Sequence, residues 1–251
     1  MALPTPVQNT PHTLTLEPYL EEESLHHRYT KVDFPSQVIL AHQDNDDAVV
    51  VYQAFSSSIA DFAVQHQSFK GAPGYKLERM TWIKPSFLWM QYRSGWNTKD
   101  DRQERTLAIR LRRSFFDSLV NSAVSSSHHL SANAPNARDH WRKARSQCCV
   151  TVQWDPDYTP NVEEPERIKA QRRAIQLGLK GPAAAILANG VTSKEEEDGV
   201  LSIEDITPFV IEMRTRLERD KNKKGDLRFA DLWVPKERPY QVEDTSILYS
   251  I

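Results

Sequence analysis

The sequence predicts a mixed α+β domain: a small curved sheet or β-barrel flanked by short helices, with flexible N- and C-terminal extensions. Three observations carry that reading. Five or six short runs rich in Val, Ile and aromatic residues recur along the chain, as strands do. Between them lie segments whose apolar residues fall three or four apart, as on one face of a helix. Two of the strand joins are hairpin-like, and no internal repeat is visible. We expect one domain at residues 36–220, between an N-terminal extension (1–35) and a C-terminal extension (221–251).

Taken in order, residues 1–35 carry four prolines before Tyr19, then an acidic run and His26-His27, with little periodicity. Gln37–Ala41 and Ala48–Phe55 read as strands joined by the turn Asp44–Asp47. Ile59, Phe62, Ala63 and His66 then share one face of a helix over 58–68. Lys70-Gly71-Ala72-Pro73-Gly74 breaks it. Lys76–Ile83 is expected as a strand entering the core, and Pro85, whose missing N–H costs nothing in a first turn, opens a buried helix over 85–93. Gly95 ends that helix. Leu107, Ile109 and Leu111 alternate with Thr106, Ala108 and Arg110, which predicts a half-exposed strand. A helix follows at 114–124, a short basic helix at 137–145, and a strand at Cys148–Trp154 stopped by Asp155-Pro156-Asp157. Arg173–Leu179 is a further strand, Gly181–Asn189 a short helix, Gly190–Gly199 an acidic insertion, and Phe209–Arg219 the final helix.

Composition excludes several classes. Of 251 residues 39% are hydrophobic, and the mean hydropathy of −0.60 describes a chain with a core and polar ends. No run approaches the roughly 18 apolar residues of a membrane span, and the first residues lack the basic and apolar regions of a signal peptide. The expectation is an intracellular protein, cytoplasmic or nuclear, without a membrane partner. Cys148 and Cys149 are the only cysteines. Neighbours do not build a disulfide framework, and a single pair does not make a zinc knuckle; on a strand, one would face in and one out. No metal-ligand pattern, Walker loop, GxGxxG, GxSxG or HExxH is present, so no metal or cofactor is expected.

Charge is segregated. The net charge is −2, yet ten basic side chains face four acidic ones between Lys76 and Arg113. Segregated charge focuses a field even when the total is near zero. Within that region Trp82, Trp89 and Trp96 are interleaved with Arg79, Lys84 and Arg93. Cations among aromatics suit an anionic, stackable ligand, because rings take a base and cations take phosphate. Trp96, after Gly95, is expected as the exposed stacking platform, with Trp82 and Trp89 in the core. Arg79, Lys84, Arg93 and Lys99 would contact phosphate, and Gln53 would grip the ligand. On a strand, Lys76, Glu78, Met80, Trp82 and Lys84 would share one face. A partly desolvated lysine beside a carboxylate serves as base or nucleophile, so Lys84 or Lys76, with Glu78 and Tyr52 or Tyr92, would carry any chemistry.

Several blocks resemble an uncharacterised domain-of-unknown-function family of bacteria and fungi. They are Val51–Phe55, Ile59–Asp61, Arg79–Met90, Tyr92–Trp96, Val152–Pro156 and Ile175–Gly178, and the resemblance covers roughly residues 37–220. It implies no activity. Gly74-x-Lys76-x-Glu78-Arg79 also looks like a compressed form of the GxKxxExR motif of ASCH domains, which belong with the PUA-like barrels. That resemblance implies RNA binding, and in some members a lysine-dependent hydrolase or nuclease. The leading expectation is therefore an RNA- or single-strand-binding domain with hydrolysis in a basic aromatic cleft. A transferase or hydrolase acting on a nucleotide-like small molecule is the first alternative, and a non-catalytic protein-interaction module the second.

Overall fold

The computed structural model describes residues 4–19, 39–44, 47–126, 136–156, 158–163, 165, 173–193, 199–223 and 227–240. The histidine pairs His26-His27 and His128-His129 and the acidic stretch at 194–198 lie outside the described residues. The chain runs β1 (Leu16–Pro18), β2 (Leu40–Asp44), β3 (Ala48–Phe55), α1 (Ser57–His66), β4 (Thr81–Ile83) and α2 (Phe87–Ser94). A 3₁₀ turn at Asp101–Gln103 leads to β5 (Arg105–Arg112), α3 (Arg113–Asn121), β6 (Ala123–Ser125) and α4 (Ala137–Gln147). Then follow β7 (Val150–Pro156), β8 (Arg173–Leu179), α5 (Gly181–Asn189), β9 (Val200–Asp205), α6 (Thr207–Asp220), β10 (Trp233–Pro235) and β11 (Glu237–Pro239).

Two sheets make the frame. One has the order β11-β2-β3-β5-β9 and is antiparallel throughout; the other has the order β4-β8-β7-β6, with only the β6–β7 pair parallel. They are stitched at one point, where the Tyr52 N–H donates to the Lys84 carbonyl (2.7 Å) and the Lys84 N–H to the Tyr52 carbonyl (3.1 Å). Among the described residues the strands curve but do not close into a barrel.

The five-stranded sheet is buried on both faces. Val49, Val51, Leu107, Ile109 and Leu111 meet Val150, Val152, Ile175, Leu177 and Leu179 of the four-stranded sheet in one core. Val50, Tyr52 and Ala108 face the other way, against Phe87, Leu88 and Met90 of α2 and Phe209, Val210 and Met213 of α6. A strand covered on both sides needs a continuous apolar run, which is what Ala48–Tyr52 is. The same fact corrects the half-exposed reading of Leu107–Leu111: Thr106 and Ala108 are buried, and Arg110, half-buried, pairs with Asp44 at 2.7 Å.

Residues 4–19 and 227–240, within the expected terminal extensions, contribute Leu14, Tyr19, Phe229, Leu232 and Val234 to this second core. β1 pairs with β10, and β11 pairs with β2. Carboxylates of α6 and β9 hold the N-terminal segment by its backbone: Glu212 accepts from the N–H groups of Gln8 and Asn9, and Glu204 from those of His12 and Thr13.

Other expectations shift in register. The strand foreseen at 76–83 shrinks to Thr81–Ile83, because Lys76–Arg79 folds as turns, with the Arg79 N–H on the Lys76 carbonyl (3.2 Å). β6 occupies the end of the helix expected at 114–124, and β7 starts two residues late and runs through Asp155. Cys148 caps α4 and is not on a strand. β9 is new. Its buried residues, Val200 and Ile203, are three apart because the β5–β9 register shifts between Arg110 and Leu111, which erases the period-2 signal.

Candidate functional site

Alternation along the four-stranded sheet builds the floor of a pocket. Ile83, Val150, Val152, Ile175, Leu177 and Leu179 point into the core. By the pleat, Trp82 and Lys84, Gln153 and Asp155, and Gln176 and Gly178 point to the opposite face. Gln153 is directly across from Gln176, and Trp82 from Gly178. Gly178 is needed there: a Cβ would lie 2.7 Å from Met80 Sδ and 3.0 Å from the Trp82 ring. The indole therefore lies down on the sheet because the position beneath it has no side chain.

Helix α2 forms the roof. It starts at Phe87, whose N–H is accepted by the buried Glu237 carboxylate of β11 at 2.5 Å, one and a half hundred residues away in the chain. Ser86, in the N-cap position, makes no side-chain cap. Trp89 and Arg93, one turn apart, share a face, and both line the pocket with Gln103 of the 3₁₀ turn. The pocket, open on one side to solvent, has a volume of about 340 Å³, at the lower end of small-ligand sites. Beside it Tyr158 stacks on Tyr92 (ring centroids 3.8 Å, planes 8° apart), and Tyr92 on Trp89 (5.2 Å, 20°).

The electrostatics are those of an anion site with one acid in it. Lys84 is 7% exposed and donates only a long bond, 3.4 Å, to the Trp82 carbonyl. Burial, reinforced by the charge of Arg93 and partly offset by Asp155, brings its ammonium down to about 8. Arg93 is exposed, and its guanidinium has no hydrogen bond or ion pair among the described residues. Asp155 is held by two amides, Gln153 Nε2 on Oδ1 (2.8 Å) and Gln176 Nε2 on Oδ2 (2.9 Å). The Trp89 indole N–H is buried without a hydrogen-bond partner among the described residues. The hydrogen bond with Tyr158, in which the neutral Tyr92 phenol is the donor, and then burial push that phenol up. Such an arrangement can bind an anion on two cations, stack a flat ring, and move a proton at Lys84 Nζ.

The residues singled out in the sequence distribute unevenly over this site. Lys84 and Arg93 line the pocket, and Tyr92 sits beside it in the aromatic stack. Gln53 supports it from behind: its Nε2 donates to Thr81 Oγ1 (2.7 Å) and to the Trp82 carbonyl (3.0 Å). Lys99 reaches the Arg93 carbonyl at 3.4 Å, at the end of α2. Lys76, Glu78 and Arg79 lie exposed on the turns before β4 and line no part of the pocket. Tyr52 is fully buried against Phe87, its phenol pushed up by burial and by the Glu237 charge. Trp96 is not an exposed platform. Gly95 and Trp96 both take positive φ (58° and 53°), and the Trp96 N–H closes on the Gln91 carbonyl at 2.9 Å. That turn folds the indole inward, 2% exposed, edge-on to Phe87.

Of the two tryptophans expected in the core, Trp89 is buried as expected and Trp82 only half-buried; both wall the pocket, and Gln103, Gln153, Asp155 and Gln176 join them. A signal for the last three exists. In Val150-Thr151-Val152-Gln153-Trp154-Asp155 and Ala174-Ile175-Gln176-Leu177-Gly178 the polar residues alternate with apolar ones, so they share the face turned from the core.

Among the described residues no group of His, Cys, Asp and Glu is placed to hold a metal, and no helix is long and apolar enough to cross a membrane. No curated protein matches the chain. A family model described as "Domain of unknown function (DUF4291)" matches residues 38–240, most of the chain, and the protein belongs to that family.

Proposed function

We propose that this member of the DUF4291 family binds a nucleotide-like small molecule in the pocket between α2 and the β4-β8-β7 face, and acts on it as a transferase or hydrolase. The observation that carries the reading is the convergence of a buried lysine, an arginine without a partner among the described residues and two indoles on one cavity of about 340 Å³. The base would lie against Trp82 and Trp89, and phosphate would meet Arg93 at the mouth and Lys84 inside. At neutral pH a lysine with a pKa of about 8 is still mostly charged, which suits anion binding. It also holds on the order of 300 times more free amine than an ordinary lysine, which suits a proton acceptor at Nζ.

A second reading, binding of RNA or another single strand, is favoured by the Tyr92–Tyr158 pair. Its half-buried rings stand next to the exposed Arg93 and would carry a neighbouring base. The ASCH-like motif supports it less, since Lys76, Glu78 and Arg79 stand outside the pocket.

The test is titration of the full-length protein with nucleoside mono- and diphosphates, followed by tryptophan fluorescence, across a salt series. Binding with a shallow salt dependence, weakened by Lys84→Ala and Arg93→Ala, is the expected result. A steep dependence seen only with oligonucleotides would favour the single-strand reading, because several counterions are then released. No response to either ligand class would overturn both.

A further inference from the structure

The carboxylate at the pocket floor has more acceptor capacity than its neighbours use. A carboxylate offers about four lone-pair sites; Gln153 takes one on Oδ1 and Gln176 one on Oδ2. One site on each oxygen is left, and no ion pair occupies Asp155 among the described residues. Each glutamine directs one of its two amide N–H groups at Asp155, and its side-chain carbonyl is a further acceptor with capacity to spare. This part of the wall is rich in acceptors, whereas the cations Lys84 and Arg93 line the same cavity.

A ligand matching both needs two adjacent N–H donors on one edge of a flat ring, and an anionic group elsewhere. Among the common bases guanine presents that edge, with N1–H beside the 2-amino group. Adenine sets the N1 lone pair next to its amine, so a carboxylate there meets one donor and one repelling acceptor. Uracil flanks its single N–H with two carbonyls. Sites built to hydrogen-bond a donor reject analogues lacking it, because their own buried groups are then left unpaired.

Resting on the nucleotide reading above, we infer that the ligand is a guanine nucleotide, free or at the 5′ end of a single strand, and that Asp155 is the specificity-determining residue. Its two free lone-pair sites accept N1–H and the 2-amino N–H, while Trp82 or Trp89 stacks the ring and Arg93 takes the phosphate. Gln153 and Gln176 are positioning residues, which set the plane of the carboxylate.

The experiment titrates the full-length chain with the monophosphates of guanosine, inosine, adenosine and xanthosine. Guanosine monophosphate should bind about ten- to hundredfold tighter than adenosine monophosphate, with the inosine compound, which lacks only the 2-amino group, in between. Asp155→Asn replaces one acceptor by a donor, so one glutamine amide turns over and the preference should invert from guanosine to xanthosine monophosphate. A 5′-phosphorylated G-U-U trinucleotide distinguishes the sources: tighter binding than the monophosphate means a strand end, weaker binding a free nucleotide. Equal affinity for all four bases in the wild type, or an unchanged ranking in Asp155→Asn, would overturn the inference while leaving nucleotide binding intact. Binding of none of them would remove the nucleotide reading itself. Should the Asn variant fail to fold, judged by circular dichroism, the wild-type ranking of guanosine over inosine over adenosine decides alone.

Discussion

Replacing Lys84 by methionine should make the protein more stable and remove its ligand binding. In the folded chain the ammonium falls from 10.5 to about 8, chiefly through burial, with Arg93 adding to the drop and Asp155 opposing it. That difference corresponds to about 3 kcal/mol of destabilisation of the charged form. Below pH 8 both folded and unfolded chains carry the proton, so the whole penalty stands. Between 8 and 10.5 the unfolded chain holds a proton that the folded chain has released, so the wild type gains stability as pH rises through that window. Methionine keeps most of the volume and has no charge to bury. The hydrogen bond it forfeits is long, 3.4 Å to the Trp82 carbonyl, and that carbonyl keeps its 3.0 Å bond from Gln53. At pH 7 the variant should therefore gain up to about 3 kcal/mol, and the gain should shrink towards zero by pH 10.5. Urea unfolding of both proteins at pH 7, 8.5 and 10 measures it, since the difference between them isolates Lys84. A variant no more stable than the wild type at pH 7, or a gain that does not change with pH, would refute the reasoning. The trade of stability for a charge in a pocket is what a functional lysine shows.

Three further outcomes follow from the same geometry. Glu237→Ala removes the acceptor of the buried Phe87 N–H and should cost about 1–3 kcal/mol in urea unfolding; because α2 carries Trp89 and Arg93, nucleotide affinity should fall with it. Gly178→Ala would place a Cβ 2.7 Å from Met80 Sδ and 3.0 Å from the Trp82 ring, costing about 1–3 kcal/mol by overpacking and shifting tryptophan emission as the indole lifts off the sheet. Acid should release the N-terminal segment before the core. Burial opposes ionisation of Glu212 and Asp231, but the N–H groups of Gln8 and Asn9 at the first, and Arg219 and the Thr5 N–H at the second, outweigh it and hold both carboxyls below the usual range. Their contribution is present above the unfolded value (4.5 for Glu212) and lost as pH falls below it, so the amide protection factors over residues 4–13, with the intrinsic exchange rate divided out, should fall as pH drops below 4.5 while those of β3 hold; a parallel fall in β3 would show one cooperative unit.

Much of the fold is legible in the chain because its strands announce themselves by burial. Ala48–Phe55 and Arg173–Leu179 match their strands, and Gly181–Asn189 matches α5. β9 is not legible, since the register shift against β5 spoils its alternation. In the site, Lys84 and Arg93 stand out as cations among aromatics, and both reach the pocket. Trp96 misleads: three tryptophans in fifteen residues look alike in a sequence, and only the left-handed turn at Gly95–Trp96 sends one of them into the core.

The sequence by itself determines which residues must leave water, and hence the strands, the helices and the basic, aromatic character of the central segment; hydrophobic periodicity is local and can be read locally. The tertiary structure decided which polar residues meet. Asp155 and Gln176 become neighbours because β7 and β8 pair in one register, and Lys84, which follows β4, joins them because β4 pairs with β8 on its other edge. Glu237 seats the helix that closes the roof from the far end of the chain. Those contacts depend on strand order and register, which no single segment encodes, and they turn a charged stretch into a pocket.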